Sequence, residues 1–263
     1  MIKSIIHHAC LLTCVYAIPQ APTPQQLSGR DRWADSARVL IESAVRHGSD
    51  TGIDSARILI ERALTVFPDD PMLQHYDGYA LYRKATMSLG RNPAANTTPI
   101  LEQARDILDK SAKKLALPET FSLQAAVYGQ IISHTRNPVS IMSLGIKSGE
   151  ATSRAVEEGA RNPRVWLLRG IGAMFTPSMW GGGMDKAEEY LKKSLAYYES
   201  DRPSRPLPAW GNAEAYIWLG QVYAKQGKTD ASRAAYANAI KLEPDNGWAR
   251  ALLAARVSPV PTQ

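Results

Sequence analysis

The stretch that decides the fold is AEAYIWLGQVYAKQGKTDASRAAYANAIKLEPDN, residues 213–246. Tyr216 and Tyr223 lie seven residues apart, two turns of a helix, and therefore share one helix face. Gly227 interrupts that pattern where a helix would end. Pro244 closes a second apolar stripe, because proline cannot continue a helix. The stretch is therefore predicted to fold as one helix–turn–helix hairpin.

This hairpin resembles the tetratricopeptide repeat, a family of 34-residue helical hairpins. Counted from Ala213, the sequence matches seven of the eight positions that define the family. The family pattern is aromatic, Leu, Gly, aromatic, Ala, aromatic, Ala and Pro, and the one departure is a serine in place of the first alanine. The residues are Tyr216, Leu219, Gly220, Tyr223, Ser232, Tyr236, Ala239 and Pro244. The resemblance implies an all-α solenoid, in which stacked hairpins bury one core and leave a concave binding surface. It indicates a fold and does not identify a partner.

Degenerate copies of the pattern predict about five hairpins and a closing helix over residues 31–257. Residues 18–30 are expected to be a flexible lead-in and residues 258–263 a frayed tail. The predicted helices are one capped by Asp31, then 55–66, 71–89, one starting at Pro99, 118–132, 146–159, 163–175, one capped by Asp185, the two of the hairpin at 213–246, and 248–257. The register of the second hairpin stays open, because Gln74 and Asp77 lie where the family has apolar residues.

The N-terminus has the pattern of a secretory signal. Lys3 precedes the apolar run 5–16, which is too short to span a bilayer. Small residues up to Ala17 predict cleavage there, so residues 1–17 are expected to be a signal peptide of an exported, periplasmic bacterial protein. The alternatives are a buried N-terminal helix and lipoprotein processing with a lipid anchor at Cys14. Both cysteines lie in this segment, so the processed chain is expected to have no disulfide.

Composition and motifs exclude several classes of function. The chain has 263 residues, is 44% hydrophobic and has a formal net charge of +6, without a run of lysines or arginines. Nucleic-acid binding and a membrane-spanning helix in the processed chain are therefore not expected. Hydrolase and zinc-protease motifs are absent, and His47, His75 and His134 lie in different predicted hairpins. The sequence predicts no enzyme, no cofactor and no metal site.

The resemblance also implies which residues face a partner, because the first helix of each hairpin lines the groove in this family. Carried over position by position, the implied contact residues are Trp218, Gln221, Lys225, Glu214, Arg164, Gln130, Tyr79 and Arg83. Such a mixture of aromatic and charged side chains suits an extended peptide or a helix with acidic or aromatic groups. The alternative for the tyrosines of the second hairpin, Tyr79 among them, is packing between repeats.

Two segments depart from the repeat pattern: the loop 176–183, which contains Gly181, Gly182 and Gly183, and the proline-rich insertion 200–208. The glycines could let a ligand approach the backbone, with Trp180 as a lid. The favoured interpretation is structural: the glycines turn the chain and Trp180 caps the core beside Trp210. The candidate ligand contacts in these segments are Trp180, Gly181, Gly182 and Trp210.

The function predicted from the sequence is a non-catalytic scaffold in the cell envelope. It would hold a peptide segment of a partner protein in its concave groove. The alternative is a small-ligand-binding or transporter-accessory periplasmic protein, in which the two irregular segments close a pocket.

Overall fold

The computed structural model describes residues 28–255. The predicted signal segment, Cys14, most of the lead-in and the tail lie outside these residues, so those predictions stay predictions. The described part contains eleven α-helices and one turn of 3₁₀ helix, Ser178–Trp180. The α-helices are α1 Gly29–His47, α2 Asp50–Val66, α3 Pro71–Arg91, α4 Thr98–Lys114, α5 Pro118–His134, α6 Pro138–Glu158, α7 Pro163–Phe175, α8 Met184–Tyr198, α9 Asn212–Lys225, α10 Thr229–Leu242 and α11 Gly247–Ala254.

Consecutive helices pair into five hairpins, α1 with α2 through to α9 with α10, and α11 packs against the last of them. The first helices of successive hairpins also pack against one another, and they form the inner layer of the molecule. The predicted all-α solenoid of five hairpins and a capping helix is confirmed. The described residues contain no strand.

A close helix crossing recurs at the same repeat position in three hairpins. An added Cβ would lie only 2.4–2.7 Å from a side-chain atom of the second helix, in the pairs Gly78–Leu108, Gly170–Leu191 and Gly220–Tyr236. Such distances leave no room for a side chain, so glycine is required where the two helices touch. The equivalence of the three pairs settles the register of the second hairpin, which the sequence left open.

A serine fixes the same crossing from the other direction. Ser111 donates a hydrogen bond to the carbonyl of Pro71, and Ser194 donates one to the carbonyl of Pro163, each at 2.8 Å. In both hairpins the bond ties the second helix to the first residue of the first helix. The bonds also satisfy carbonyl groups and hydroxyls that would otherwise be buried without partners.

The first hairpin begins and turns differently from the prediction. The N-cap of α1 is Ser28, whose hydroxyl accepts from the amide of Asp31, so Asp31 lies inside the helix. The turn to α2 is only Gly48–Ser49, because Ser49 caps α2 by accepting from the amide of Gly52. The sequence pattern had predicted this helix only from residue 55, so α2 begins five residues earlier than predicted.

Helix α6 is longer at its start than predicted. It begins at Pro138, whereas the sequence pattern predicted the helix only from residue 146. Asn137 caps the helix, because its side chain accepts a hydrogen bond from the amide of Val139 at 2.9 Å. The proline occupies the first helical position, where a backbone N–H would have no partner within the helix. The first half of α6 carries few buried residues, so the sequence shows no apolar helix period there.

We expect Gly220→Ala to lower the free energy of unfolding by about 1–2 kcal/mol. The methyl group would overlap the ring of Tyr236, and this outweighs the gain of about 1 kcal/mol in helix propensity. The matched control is Gly129→Ala in α5, where no atom lies within 4 Å of the added carbon. That substitution should raise the free energy of unfolding by about 0.5–1 kcal/mol. Urea titrations followed by circular dichroism measure both, and equal effects would contradict the crossing.

Candidate functional site

The groove formed by the first helices is partly filled by the chain itself. The segment between α8 and α9, residues 199–211, is here called the strap. Every residue of α3 from Met72 to Arg83 is buried, although one face of this helix lines the groove. The strap is what covers that face.

The strap contacts three first helices in turn. Its Asp201 accepts two hydrogen bonds from Arg164 of α7, at 2.8 and 2.9 Å. The hydroxyl of Tyr76 on α3 donates to the carbonyl of Pro206 at 2.5 Å. Arg205 pairs with Asp35 of α1, and its hydrogen bond is the main cause that holds the pKa of Asp35 below its ordinary value. The strap therefore crosses the groove from α7 to α1.

Trp210 closes the strap over the core. It is 4% exposed, and its ring stacks on that of Tyr79, with centroids 4.9 Å apart and planes at 15°. The hydroxyl of Tyr198, at the end of α8, donates to the Trp210 carbonyl at 2.8 Å. Gly211 follows with a positive φ of 104°, where an added Cβ would lie 2.4 Å from that hydroxyl. The end of the strap is thus set by one stacked ring and one glycine.

Arg164 is a structural cation, not an exposed contact. Its side chain is 2% exposed, and its Nε donates to Glu119 of α5 at 2.9 Å while its two Nη atoms hold Asp201. Burial acts to lower its pKa, but the hydrogen bonds to Asp201 and the charge of Glu119 hold that pKa above the ordinary value. Its predicted role as a partner contact is therefore corrected.

Arg83 and Tyr79 are corrected in the same way. Arg83 donates to both carboxylate oxygens of Glu214 on α9, at 2.8 and 3.1 Å, and its guanidinium carbon lies 5.9 Å from the Tyr79 ring centre. Both residues are buried. Burial acts to lower the pKa of Arg83, but the charge of Glu214 outweighs it and holds the pKa above its ordinary value. The alternative for Tyr79, packing inside the solenoid, is what the structure shows.

An aromatic row remains open beyond the strap. It consists of Phe175 on α7, Trp218 on α9 and Trp248 on α11, with ring centres 6.2 and 5.3 Å apart and edge-to-face geometry. Phe175 is 70% exposed, Trp248 is 38% exposed and Trp218 is half-buried. The indole of Trp218 donates to Glu214 at 3.2 Å, which fixes its orientation.

Polar groups adjoin the row at other predicted positions. Gln221 is half-buried, and its Nε2 is buried with no hydrogen-bond partner among the described residues. Lys225 is exposed one turn further along α9. Gln130 ends the same face of α5, half-buried, with an unpartnered Oε1 within the described part. Whether these three contact a partner stays a prediction.

Sequence reasoning missed Trp248, because α11 was interpreted only as a closing helix. Trp248 lies 34 residues after Glu214, so it occupies the position of Glu214 in the next repeat period. Extending the repeat by one more unit would have found it.

The Trp180 loop has the predicted turn but not the predicted packing. An added Cβ at Gly182 would lie 2.1 Å from the carbonyl oxygen of Thr176, so the glycines serve the turn, as the favoured interpretation held. Gly181 and Gly183 both have positive φ. Trp180 itself is 70% exposed and does not cap the core beside Trp210, whose buried partner is Tyr79. That part of the prediction is wrong.

His75 lies in the floor of the groove between α3 and α5. It is fully buried, and its Nδ1 lies 2.8 Å from the hydroxyl of Thr120. Burial, together with the charge of Arg164, lowers the pKa of His75 to about 3. The imidazole is therefore neutral at physiological pH. Within residues 28–255, no three His, Cys, Asp or Glu side chains are grouped so that they could hold a metal ion, and no helix is long and apolar enough to cross a bilayer.

Comparisons with known proteins agree with this architecture. The family model of the tetratricopeptide repeat matches residues 213–246, the boundaries predicted from the sequence. No curated protein matches the chain.

Among solved structures, the thermophilic tetratricopeptide-repeat protein TTC0263 of Thermus thermophilus is 20% identical, with a TM-score of 0.58. The match covers 85% of this chain and 97% of that one. The HusA haemophore of Porphyromonas gingivalis is 21% identical, with a TM-score of 0.56, and the match covers 76% of this chain and 96% of that one. At these identities the likeness concerns the fold alone.

We expect Trp210→Ala to lower the free energy of unfolding by about 3–5 kcal/mol, because it empties a buried aromatic site and removes the stacking on Tyr79. Trp180→Ala is the matched control, and since that side chain is exposed, its effect should stay within about 0.5 kcal/mol. Urea denaturation measures both. A cost for Trp180→Ala as large as that for Trp210→Ala would contradict the assignment of the two tryptophans.

The buried His75 should make the protein sensitive to acid. Its folded-state pKa of about 3 lies below the unfolded value of about 6.5. The unfolded chain therefore binds the proton first, and the contribution to stability is complete above pH 6.5 and is lost as the pH falls toward 3. Melting temperatures between pH 7 and 4 should fall less steeply for His75→Gln than for wild type. Equal slopes for His75→Gln and wild type would contradict the burial of a neutral imidazole at this position.

Proposed function

We propose that this chain, a helical solenoid whose residues 213–246 match the tetratricopeptide-repeat family, is a non-catalytic scaffold that binds a segment of a partner protein at the aromatic row. The observation that carries the proposal is the alignment of Phe175, Trp218 and Trp248 on three successive first helices, next to a groove that is otherwise filled. Aromatic side chains dominate the energetics of such interfaces, because they bury a large area at a low cost in side-chain entropy.

The neighbouring polar groups suggest the chemistry of the segment. The unpartnered amide nitrogen of Gln221 is a donor for a backbone carbonyl, and a buried donor without a partner costs free energy until it finds one. The ammonium group of Lys225 favours a carboxylate. The proposed ligand is therefore an extended or helical segment with one or two large apolar side chains and an acidic residue beside them.

We also propose that the protein works in the cell envelope. The support is the N-terminal pattern of residues 1–17, with periplasmic release after Ala17 as the first form and a lipid anchor at Cys14 as the second. Mass spectrometry of the N-terminus of the native protein separates the two forms.

A second candidate function is the binding of a small flat apolar ligand. A wall of two tryptophans and a phenylalanine would stack against such a molecule as readily as against a peptide side chain. One of the structures with a similar fold is described as a haemophore, which makes haem a suitable first probe.

We expect peptides selected against the protein from a random displayed library to lose at least tenfold in affinity for Trp218→Ala and for Trp248→Ala. Such a loss corresponds to about 1.4 kcal/mol, which is less than truncation of a central aromatic contact commonly costs. The control is Val66→Ala, which removes an exposed apolar side chain from α2 and should leave the dissociation constant unchanged. Fluorescence anisotropy of labelled peptides measures all three.

Three outcomes distinguish the candidates. Equal affinities for all variants, with their folds retained, would exclude the row as the peptide site. No selected peptide, together with saturable quenching of tryptophan fluorescence by haem that is lost in Trp218→Ala, would favour the second candidate. Selected peptides without an apolar residue would contradict the proposed chemistry.

A further inference from the structure

One end of the solenoid presents an apolar surface that the aromatic row does not use. Helices α5 and α7 pack side by side and occupy equivalent places in their hairpins, so their last residues, His134 and Phe175, lie at the same end of the molecule. Helix α6 starts at that end, and the Trp180 loop, which follows α7, lies at the same end.

Five large apolar side chains are exposed at this end. Three lie on the first nine residues of α6, within about 12 Å along its axis, at a spacing that puts them on one helix face. Two lie in the Trp180 loop. They are Val139, Met142, Ile146, Met179 and Trp180, here called the tip surface, and each is 59–82% exposed.

Exposed large apolar side chains are concentrated at this end of the molecule. Among the described residues, twelve large hydrophobic side chains are exposed, and these five together with Phe175 make up half of them. Exposed apolar residues scattered singly are normal on a soluble protein, whereas a cluster at one end indicates a surface that is covered in use.

The charges beside the tip surface are mainly positive. Segments 131–149 and 170–184 contain no aspartate or glutamate, and the exposed Arg136 and Lys147 flank the apolar residues of α6. Glu150 borders the same face of α6, beside Lys147, and Asp185 follows the Trp180 loop, so two cations and one carboxylate adjoin the apolar residues of α6. A partner of negative charge with an apolar interior therefore complements this surface.

We propose that the tip surface docks on a lipid bilayer that contains anionic phospholipid. The five apolar side chains enter the interface, and Arg136 and Lys147 pair with lipid phosphates. Trp180 and Met179 protrude from a loop that is turned by glycines. Such protruding side chains suit a lipid surface, which can deform around them, whereas a protein partner would need a matching pocket for each. Tryptophan is also enriched where membrane and water meet.

The proposed contact is peripheral, because the five side chains enter only the interface of the bilayer. It uses none of the residues of the aromatic row, so this inference and the proposed scaffold function can fail separately. Docking by this end would leave the row free to hold a partner beside the membrane.

The test places an environment-sensitive fluorophore at the tip of the full-length chain. Met179→Cys is made in a background of Cys10→Ser and Cys14→Ser and labelled with nitrobenzoxadiazole. With vesicles of phosphatidylcholine and roughly one third phosphatidylglycerol, the emission should rise severalfold and shift to the blue, and salt or omission of phosphatidylglycerol should weaken the change. The matched control is the same label at Val66→Cys, an exposed apolar site at the end of α2, which should not respond.

A second variant tests the tip surface as a whole. Val139→Ser with Met142→Ser and Ile146→Ser removes only exposed side chains, so the fold should persist by circular dichroism while the response of the label at position 179 is largely lost. No response at position 179 would overturn the proposal, as would an equal response at position 66. A response that requires an added protein in place of vesicles would identify a protein-binding surface instead and would equally overturn it.

Discussion

A single guanidinium group, that of Arg164, holds two carboxylates in the interior and fixes the path of the strap. It ties Glu119 of α5 and Asp201 of the strap to α7. An arginine keeps its charge under all relevant conditions, so a buried one must be fully paired, and removing either partner would leave an uncompensated charge. Because Asp201 lies at the start of the strap, this pair determines where the strap enters the groove, and the contact of Pro206 and the stacking of Trp210 follow from it.

The strap and two long-range ion pairs convert an open solenoid into a closed unit. Arg83 joins α3 to α9, and the guanidinium of Arg46 lies 3.6 Å from the carboxylate of Asp245, which follows α10. In a simple repeat array each hairpin contacts only its neighbours, and stability is a sum of local terms. Here, opening the first, the second or the fourth hairpin also breaks a contact with the strap. The hairpins of this chain are therefore coupled beyond their nearest neighbours.

The sequence predicts the hairpins well and the occupancy of the groove poorly, for a physical reason. Helix period, glycine at the crossing and proline at the ends act within 34 residues, so they can be recognised locally. Tyr79, Arg83 and Arg164 do belong to first helices, as predicted, but their burial depends on partners up to 131 residues away. Trp180 lies in one irregular segment and Trp210 follows the other, and only tertiary contacts show that Trp180 is exposed and Trp210 buried.

The groove therefore retains the chemistry of peptide recognition but applies it to its own chain. A carboxylate receives an arginine, a tyrosine hydroxyl donates to a backbone carbonyl, and an aromatic ring stacks on a tryptophan, which are the contacts by which a solenoid would hold a foreign segment. Since the strap is covalently attached, its effective concentration at the groove exceeds that of any free peptide. A partner consequently gains more from surfaces that the strap leaves open, and on the concave side the aromatic row of Phe175, Trp218 and Trp248 is such a surface.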